Sequence, residues 1–116
     1  MTPRLEEMIL DDLKIRHFGP SRAIPREKLA AHFGISLETE TQDRDFRLWY
    51  SAKGIPTCNS GLYWPRGKQD REDFARFLWA HVNPKAHALR MAAFDARFPN
   101  CVPEKPPEGV QGELGI

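Results

Sequence analysis

The sequence predicts one small α+β domain that is mostly helical, with five helices and a single β-hairpin. Three observations predict this class. Apolar residues recur at helical spacing in five segments, β-branched and aromatic residues surround an Asn-Ser-Gly turn, and 116 residues with 41% hydrophobic content can close one modest core. The domain is expected to span residues 1–98, and residues 99–116, rich in proline and glycine, are expected to form a flexible tail.

The first two helices are placed by apolar periodicity and by residues that begin or end helices. Helix one is predicted from Arg4 to Arg16, with acidic residues in its first turn. Helix two is predicted from Pro25 to Phe33, because proline favours the first helical position and Gly34 tolerates the left-handed conformation that follows a helix. Between them, Ala23-Ile24 is expected to form a short strand.

The third helix and the hairpin follow. Helix three is predicted from Gln42 to Lys53, since Phe46, Trp49 and Tyr50 fall on one face at i, i+3, i+4 spacing. The stretch from Ile55 to Pro65 is predicted to be the hairpin, because an Asn-Ser-Gly turn signal lies at its centre.

Two further helices are predicted after the hairpin. Asp70 is expected to cap helix four, whose predicted apolar face comprises Phe74, Phe77, Leu78, His81 and Val82. His81 is therefore expected in the core. Asn83 is expected to cap helix five, with Pro84 at its first position and its end near Phe98.

The order of these elements and three short motifs carry a resemblance to a known family. The motifs are Gly34-Ile35-Ser36 after helix two, Gly54-Ile55-Pro56 before the hairpin, and Gly61-Leu62-Tyr63-Trp64-Pro65 within it. In these motifs the sequence resembles the small winged helix-turn-helix proteins of bacteriophages and prophages. The resemblance implies a winged helix-turn-helix with a two-stranded wing and two C-terminal helices, and transcription regulation through double-stranded DNA as the function. Many winged helices bind proteins instead, so a phage factor that modulates a host enzyme or complex is the alternative.

The candidate base-contacting residues lie on helix three. If its aromatic face is buried, Arg44, Arg47 and Ser51 fall together on the opposite face. Arginine can bridge guanine O6 and N7, and serine can meet several base edges, so this face suits the major groove. The candidate phosphate-contacting residues are Arg26, Lys28, Lys53, Arg66 and Lys68. The alternative, which the sequence leaves open, is that these charges only solvate the surface and pair with nearby acids.

Charge distribution bears on the choice of partner. The net charge is only +1, which favours the protein-binding alternative. The segment from Gln42 to Lys68 carries five basic and two acidic residues, which favours DNA.

Helix five has one apolar stripe of Ala86, Leu89, Ala93 and Ala96, and a second stripe indicates another interface. Met91, Phe94 and Phe98 form this stripe, and Trp79 lies away from the core face of helix four. A homodimer would cover these residues and place two recognition helices on adjacent half-sites. Coverage by helix one is the open alternative.

Several functional classes are not indicated. Cys58 and Cys101 predict no disulfide framework, and the four histidines and two cysteines show no metal-ligand spacing. No phosphate loop or nucleophile elbow occurs, so we expect no enzyme activity, cofactor or metal. No apolar run is long enough to span a membrane, and a cytoplasmic location in a bacterial or phage-infected cell is expected.

Overall fold

A computed structural model describes residues 1–103, and residues 104–116 lie outside the described part of the chain. The helices are α1 (Pro3–Arg16), α2 (Arg26–His32), α3 (Glu40–Ala52), α4 (Lys68–His81) and α5 (Pro84–Arg97), and the strands are β1 (Thr57–Cys58) and β2 (Gly61–Leu62). The predicted class, α+β and mostly helical with a two-stranded hairpin, is confirmed.

Helix α1 buries a narrow stripe of its surface. The Thr2 side chain accepts the backbone N–H of Leu5, which satisfies a donor that the first turn would otherwise leave unpaired. Ile9 and Leu13 are fully buried, whereas the neighbouring Met8 is 49% exposed. The predicted bounds of this helix are met within one residue.

Helix α2 ends in a Schellman motif that begins the turn toward α3. The N–H of Ile35 donates to the Ala30 carbonyl at 2.8 Å and the N–H of Gly34 donates to the Ala31 carbonyl at 3.2 Å. Gly34 has a φ of 69°, which permits this closure. The helix is shorter than predicted, because Pro25 precedes it in extended conformation instead of forming its first residue.

Helix α3 begins two residues earlier than predicted. Thr39 and Gln42 form a reciprocal capping box, in which each side chain accepts a backbone N–H of the other residue. Phe46 and Tyr50 are buried and Trp49 is half-buried, as the spacing predicts. A second Schellman motif at Gly54 closes the helix, with the Ile55 N–H donating to the Tyr50 carbonyl at 3.1 Å.

The hairpin forms a small sheet with the segment before α2. Thr57 pairs with Leu62 in antiparallel register, and Leu62 forms a second antiparallel bridge with Ile24 on its other side. The expected strand at Ala23-Ile24 is therefore reduced to a single bridging residue. The backbones approach closely: a Cβ atom on Gly61 would lie 2.0 Å from the Ile24 carbonyl oxygen.

Helices α4 and α5 complete the core. Phe74 and Leu78 of α4 are buried, and Asn83 caps α5 as predicted by accepting the N–H of Ala86. The expectation for His81 is wrong. It is the last residue of α4, it is exposed, and its ring stacks on Phe77 one turn earlier instead of entering the core.

Asp70 does not cap α4, which corrects another expectation. The helix begins before it, at Lys68, and Asp70 lies in the first turn with only 1% of its surface exposed. Its carboxylate accepts hydrogen bonds from the backbone and side chain of Arg66. The group thus joins α4 to the segment that leaves the hairpin.

Packed structure continues beyond Phe98. A 3-10 turn covers Pro99–Cys101, and Cys101 is fully buried. The core therefore includes Cys101, which lies in the segment expected to be a flexible tail, and residues 104–116 of that segment lie outside the described residues.

Candidate nucleic-acid interface

The outer face of α3 presents the predicted base-contacting residues. Arg44 and Arg47 are exposed three residues apart, and Ser51 is half-buried between them and the end of the helix. Within residues 1–103, neither arginine forms an ion pair. Leu48, on the same face, is 58% exposed. This face therefore offers two unneutralised guanidinium groups beside an apolar side chain.

Three of the predicted phosphate-contacting residues are occupied by acidic partners. Arg26 pairs with Asp43 of α3, and Lys53 pairs with Glu6 of α1 at 3.2 Å. Arg66 binds both carboxylate oxygens of Asp70.

Lys28 and Lys68 are exposed, and neither forms an ion pair in the described part of the chain. The structure thus separates the candidate cations into paired and unpaired groups, a division that the sequence leaves open.

Acidic side chains surround the start of α3. Glu40 and Asp43 lie in its first turn, where they complement the positive end of the helix dipole. Glu38 precedes the helix, and Asp45 follows in the second turn. The positive charge of α3 is consequently centred on Arg44 and Arg47, away from the helix N-terminus.

Contacts with α1 hold α3 in place. The indole Nε1 of Trp49 donates to Glu6 Oε2 at 2.9 Å, and the Trp49 ring stacks on Phe46. Hydrogen bonds from Trp49 and Lys53 hold the pKa of Glu6 below its ordinary value. Helix α1 thereby fixes the orientation of α3 through a carboxylate that stays ionised at neutral pH.

The hairpin lies beside α3 across a cleft of about 320 Å³. Tyr50 and Arg26 line one side of the cleft, and Thr57, Asn59 and Ser60 of the hairpin line the other. Asn59 and Ser60 are exposed at the tip. The cleft therefore brings together Tyr50 of α3, the start of α2 and the turn of the hairpin.

The structure buries three of the four residues that the sequence assigns to a homodimer interface. Met91, Phe94 and Phe98 are buried in the core, because this face of α5 packs on α3 and α4. Trp79 is 60% exposed and stacks on His87 at a ring-centroid distance of 3.9 Å. Of the four residues, only Trp79 offers surface to a partner.

Arg90 is a residue that sequence reasoning missed. It is half-buried on α5 and its guanidinium lies over the Phe74 ring. Its position one turn before Phe94, at the edge of the apolar stripe, is the signal that would have indicated burial of a cation.

In the described part of the chain, no helix has the length and apolar character needed to cross a membrane. Among residues 1–103, no cluster of three or more His, Cys, Asp or Glu side chains could hold a metal ion. Comparison with protein-family models, with curated proteins and with solved structures finds no match to this chain.

Proposed function

We propose that this chain is a winged-helix protein that binds duplex DNA through α3, as a transcription regulator of the phage or prophage type. The order of elements supports the winged-helix assignment: α1, a bridging residue at Ile24, α2, α3 and a hairpin whose second strand pairs with Ile24. In such a protein the hairpin is the wing and α3 is the recognition helix. The cytoplasm of a bacterial or infected cell is the compartment that this role implies.

One observation carries the DNA proposal. Arg44 and Arg47 are exposed and unpaired among the described residues, whereas Arg26, Lys53 and Arg66 are neutralised by acids. Unpaired arginines can make the bidentate contacts to guanine that specify sequence. Lys28 and Lys68 are exposed as well and would contact phosphates, which position the protein without specifying sequence.

The test removes both arginines. For Arg44→Ala with Arg47→Ala, we expect binding to a selected duplex to weaken by about 1–3 kcal/mol for each base-reading arginine removed, and binding to random DNA to weaken less. Fluorescence anisotropy of labelled duplexes across a salt series measures both effects. The free energy of unfolding should change by no more than an ordinary surface substitution changes it, about 0.5 kcal/mol.

A matched control removes two exposed cations elsewhere. Arg4→Ala with Lys14→Ala changes the net charge equally but alters only the outer surface of α1. Its effect on the selected duplex should be no larger than its effect on random DNA. Equal binding by the α3 variant and the wild type would refute the role of this helix.

An apolar groove supports the protein-binding alternative. A cleft of about 380 Å³ lies between α1 and α3, and its lining includes Leu5, Ile35, Phe46 and Trp49 together with Glu6 and Asp45. Asp45, the acid of this lining that has no ion pair among the described residues, would repel DNA but suits an amphipathic segment with basic residues. Failure of the wild type to bind any duplex at low salt would favour this alternative.

A further inference from the structure

The cleft of about 380 Å³ between α1 and α3 has an apolar floor at the edge of the core. Phe46 is buried there, and Leu5, Ile35 and Trp49 are half-buried where they pack against the core. An apolar cavity of about 150 Å³ holds a benzene ring, so this cleft has room for about two large apolar side chains. Filling the cleft would remove apolar surface of α1 and α3 from water, which favours association.

A second cleft, of about 410 Å³, adjoins the first at the turn between α2 and α3. Ile35 and Ser36 line both clefts, and Ala31 and Leu37 add apolar surface to the second. Because the clefts share these residues, apolar surface extends from α1 and α3 past the turn to the end of α2.

The side chains that line the two clefts include acids but no lysine or arginine. Two of these acids already have cations. Glu6 pairs with Lys53 at 3.2 Å, and the amino group of Met1 adds a weaker attraction. Glu27 pairs with Arg26 at 3.2 Å. Neither Glu6 nor Glu27 therefore needs a charge from a partner.

The other two acids are unpaired. Asp45 lines the first cleft and Glu38 lines the second, and both residues are exposed. Neither forms an ion pair within residues 1–103. Arg44 and Arg47 line neither cleft, so the proposed DNA-contacting face of α3 is separate from this surface. Two free carboxylates beside apolar surface are complementary to a partner that is both apolar and basic.

The walls of the first cleft indicate the conformation of such a partner. They consist of two helices and a turn, and the hairpin strands do not line the cleft. An extended segment would therefore find no strand edge with which to pair. A helix satisfies its own backbone hydrogen bonds, and an amphipathic helix presents apolar side chains together at i, i+3 and i+4 spacing. A helical partner thus suits a cleft that offers side-chain contacts.

We propose that this surface docks an amphipathic basic helix of a partner protein. Apolar side chains of that helix enter the cleft between α1 and α3, and its lysines or arginines pair with Asp45 and Glu38. The inference goes beyond the proposed function and does not depend on it, because Arg44 and Arg47 lie outside both clefts.

The first experiment uses two synthetic peptides of about 18 residues, since isolated helices shorter than about 12–15 residues are marginal in water. One carries leucine at i, i+3, i+4 spacing and lysine elsewhere, and the other has glutamate in place of each lysine. NMR signals of the tryptophan indole N–H groups of the full chain report binding. We expect the lysine peptide to shift the Trp49 signal saturably and the glutamate peptide to bind more weakly.

Trp79 is the internal control, because it is exposed on α4 and lines neither cleft. A Trp49 signal that moves no more than the Trp79 signal would overturn the proposal. Equal affinity for the two peptides would do the same, because the proposal requires a basic partner.

Charge reversal then tests the acids. Asp45→Lys should weaken binding of the lysine peptide about fivefold or more, because repulsion replaces an exposed ion pair, and it should strengthen binding of the glutamate peptide. Asp11→Lys is the matched control, since Asp11 is exposed on α1, forms no ion pair in the described part of the chain and lines neither cleft. An equal effect of both variants would contradict the proposal. If Asp45→Lys fails to fold, Glu38→Lys makes the same test at the second cleft.

A separate duplex titration distinguishes this inference from the proposed function. A saturable Trp49 shift in a wild type that binds no duplex would refute DNA binding and leave the docking surface supported. Duplex binding without a saturable Trp49 shift by the lysine peptide would overturn the docking surface and leave DNA binding supported.

Discussion

Asp70 shows how a single buried charge joins two elements. The Oδ2 atom of Asp70 accepts hydrogen bonds from the backbone N–H of Arg66 at 2.7 Å and from the Nε of Arg66 at 3.0 Å. The Oδ1 atom of Asp70 accepts a hydrogen bond from the Nη2 of Arg66 at 2.9 Å. Burial acts to raise the pKa of Asp70, but the hydrogen bonds from Arg66 outweigh it and hold the pKa below its ordinary value. The ionised form is therefore the one that stabilises the fold.

Replacement of this carboxylate tests that conclusion. Asp70→Asn should lower the free energy of unfolding by about 1–3 kcal/mol at neutral pH, because charged hydrogen bonds to Arg66 are removed from a buried site. The folded pKa is depressed, so the stabilisation exists above the ordinary pKa of 3.8 and disappears as the pH falls through the folded pKa. Urea unfolding of the wild type and Asp70→Asn at several pH values measures how the free energy of unfolding depends on pH.

The difference in the free energy of unfolding between the wild type and Asp70→Asn should become smaller in acid. A gap that stays constant down to strongly acidic pH would show that the effect comes from packing and not from charge. Glu72→Gln is a suitable control, since Glu72 is an exposed carboxylate on the same helix and makes one long ion pair at 3.7 Å.

At the scale of elements, the end of α3 rests directly on α5. Gly54 closes α3, and a Cβ atom at this position would lie 2.4 Å from the Ala93 carbonyl oxygen. Gly34 closes α2 with a similar positive φ, yet nothing lies within 4 Å of a Cβ there. The two glycines thus share a backbone conformation but differ in their surroundings.

This contrast gives a matched pair of substitutions. Gly34→Ala should cost about 1 kcal/mol, the usual penalty for an L-residue in the left-handed region. Gly54→Ala should cost more, because the helix or α5 must also shift to relieve the clash with Ala93. Chemical denaturation of both variants measures the difference. Equal destabilisation would mean that α5 does not restrict the end of α3.

Local signals predicted the elements far better than the contacts between them. The apolar spacing of Phe46, Trp49 and Tyr50 located α3 because a helical face is a property of one segment. The capping box of Thr39 and Gln42 is also a pattern recognisable from the sequence, and it would have predicted the start of α3 correctly. The ion pair of Arg26 with Asp43, by contrast, depends on how α2 and α3 approach each other.

The candidate interfaces show the same limit. The α5 wheel shows two apolar stripes, but only the packing of α5 on α3 and α4 reveals that Met91, Phe94 and Phe98 belong to the core. The pairing of Lys53 with Glu6 joins residues from different helices and left no local signal. The sequence therefore predicts which charged residues lie on α3, but it does not predict which of them form ion pairs with acids on other elements.

At the scale of the whole molecule, little apolar surface remains for self-association through the C-terminal helices. Trp79 is 60% exposed and Leu89 on α5 is 64% exposed. A homodimer that uses this region would have to be built around Trp79 and Leu89. The remaining members of the predicted interface are occupied by the core.

Two substitutions distinguish surface from core. Phe94→Glu should unfold the domain, because it places a charge where the phenyl ring is fully buried. Trp79→Glu should leave the melting temperature nearly unchanged, since this ring is mostly exposed. Circular dichroism checks the fold, and sedimentation of wild type and Trp79→Glu checks the homodimer. A folded Phe94→Glu variant would contradict the placement of α5.

The bridge between Ile24 and Leu62 has a consequence for folding kinetics. A hairpin with only two residues in each strand has little stability on its own. We therefore expect β1 and β2 to become stable only when the segment before α2 pairs with them. Helices α2 and α3 lie inside the loop that this contact closes, and the entropy of loop closure must be overcome before the sheet forms. We therefore expect the hairpin and the segment before α2 to fold together as one cooperative unit, with α2 and α3 inside the closed loop.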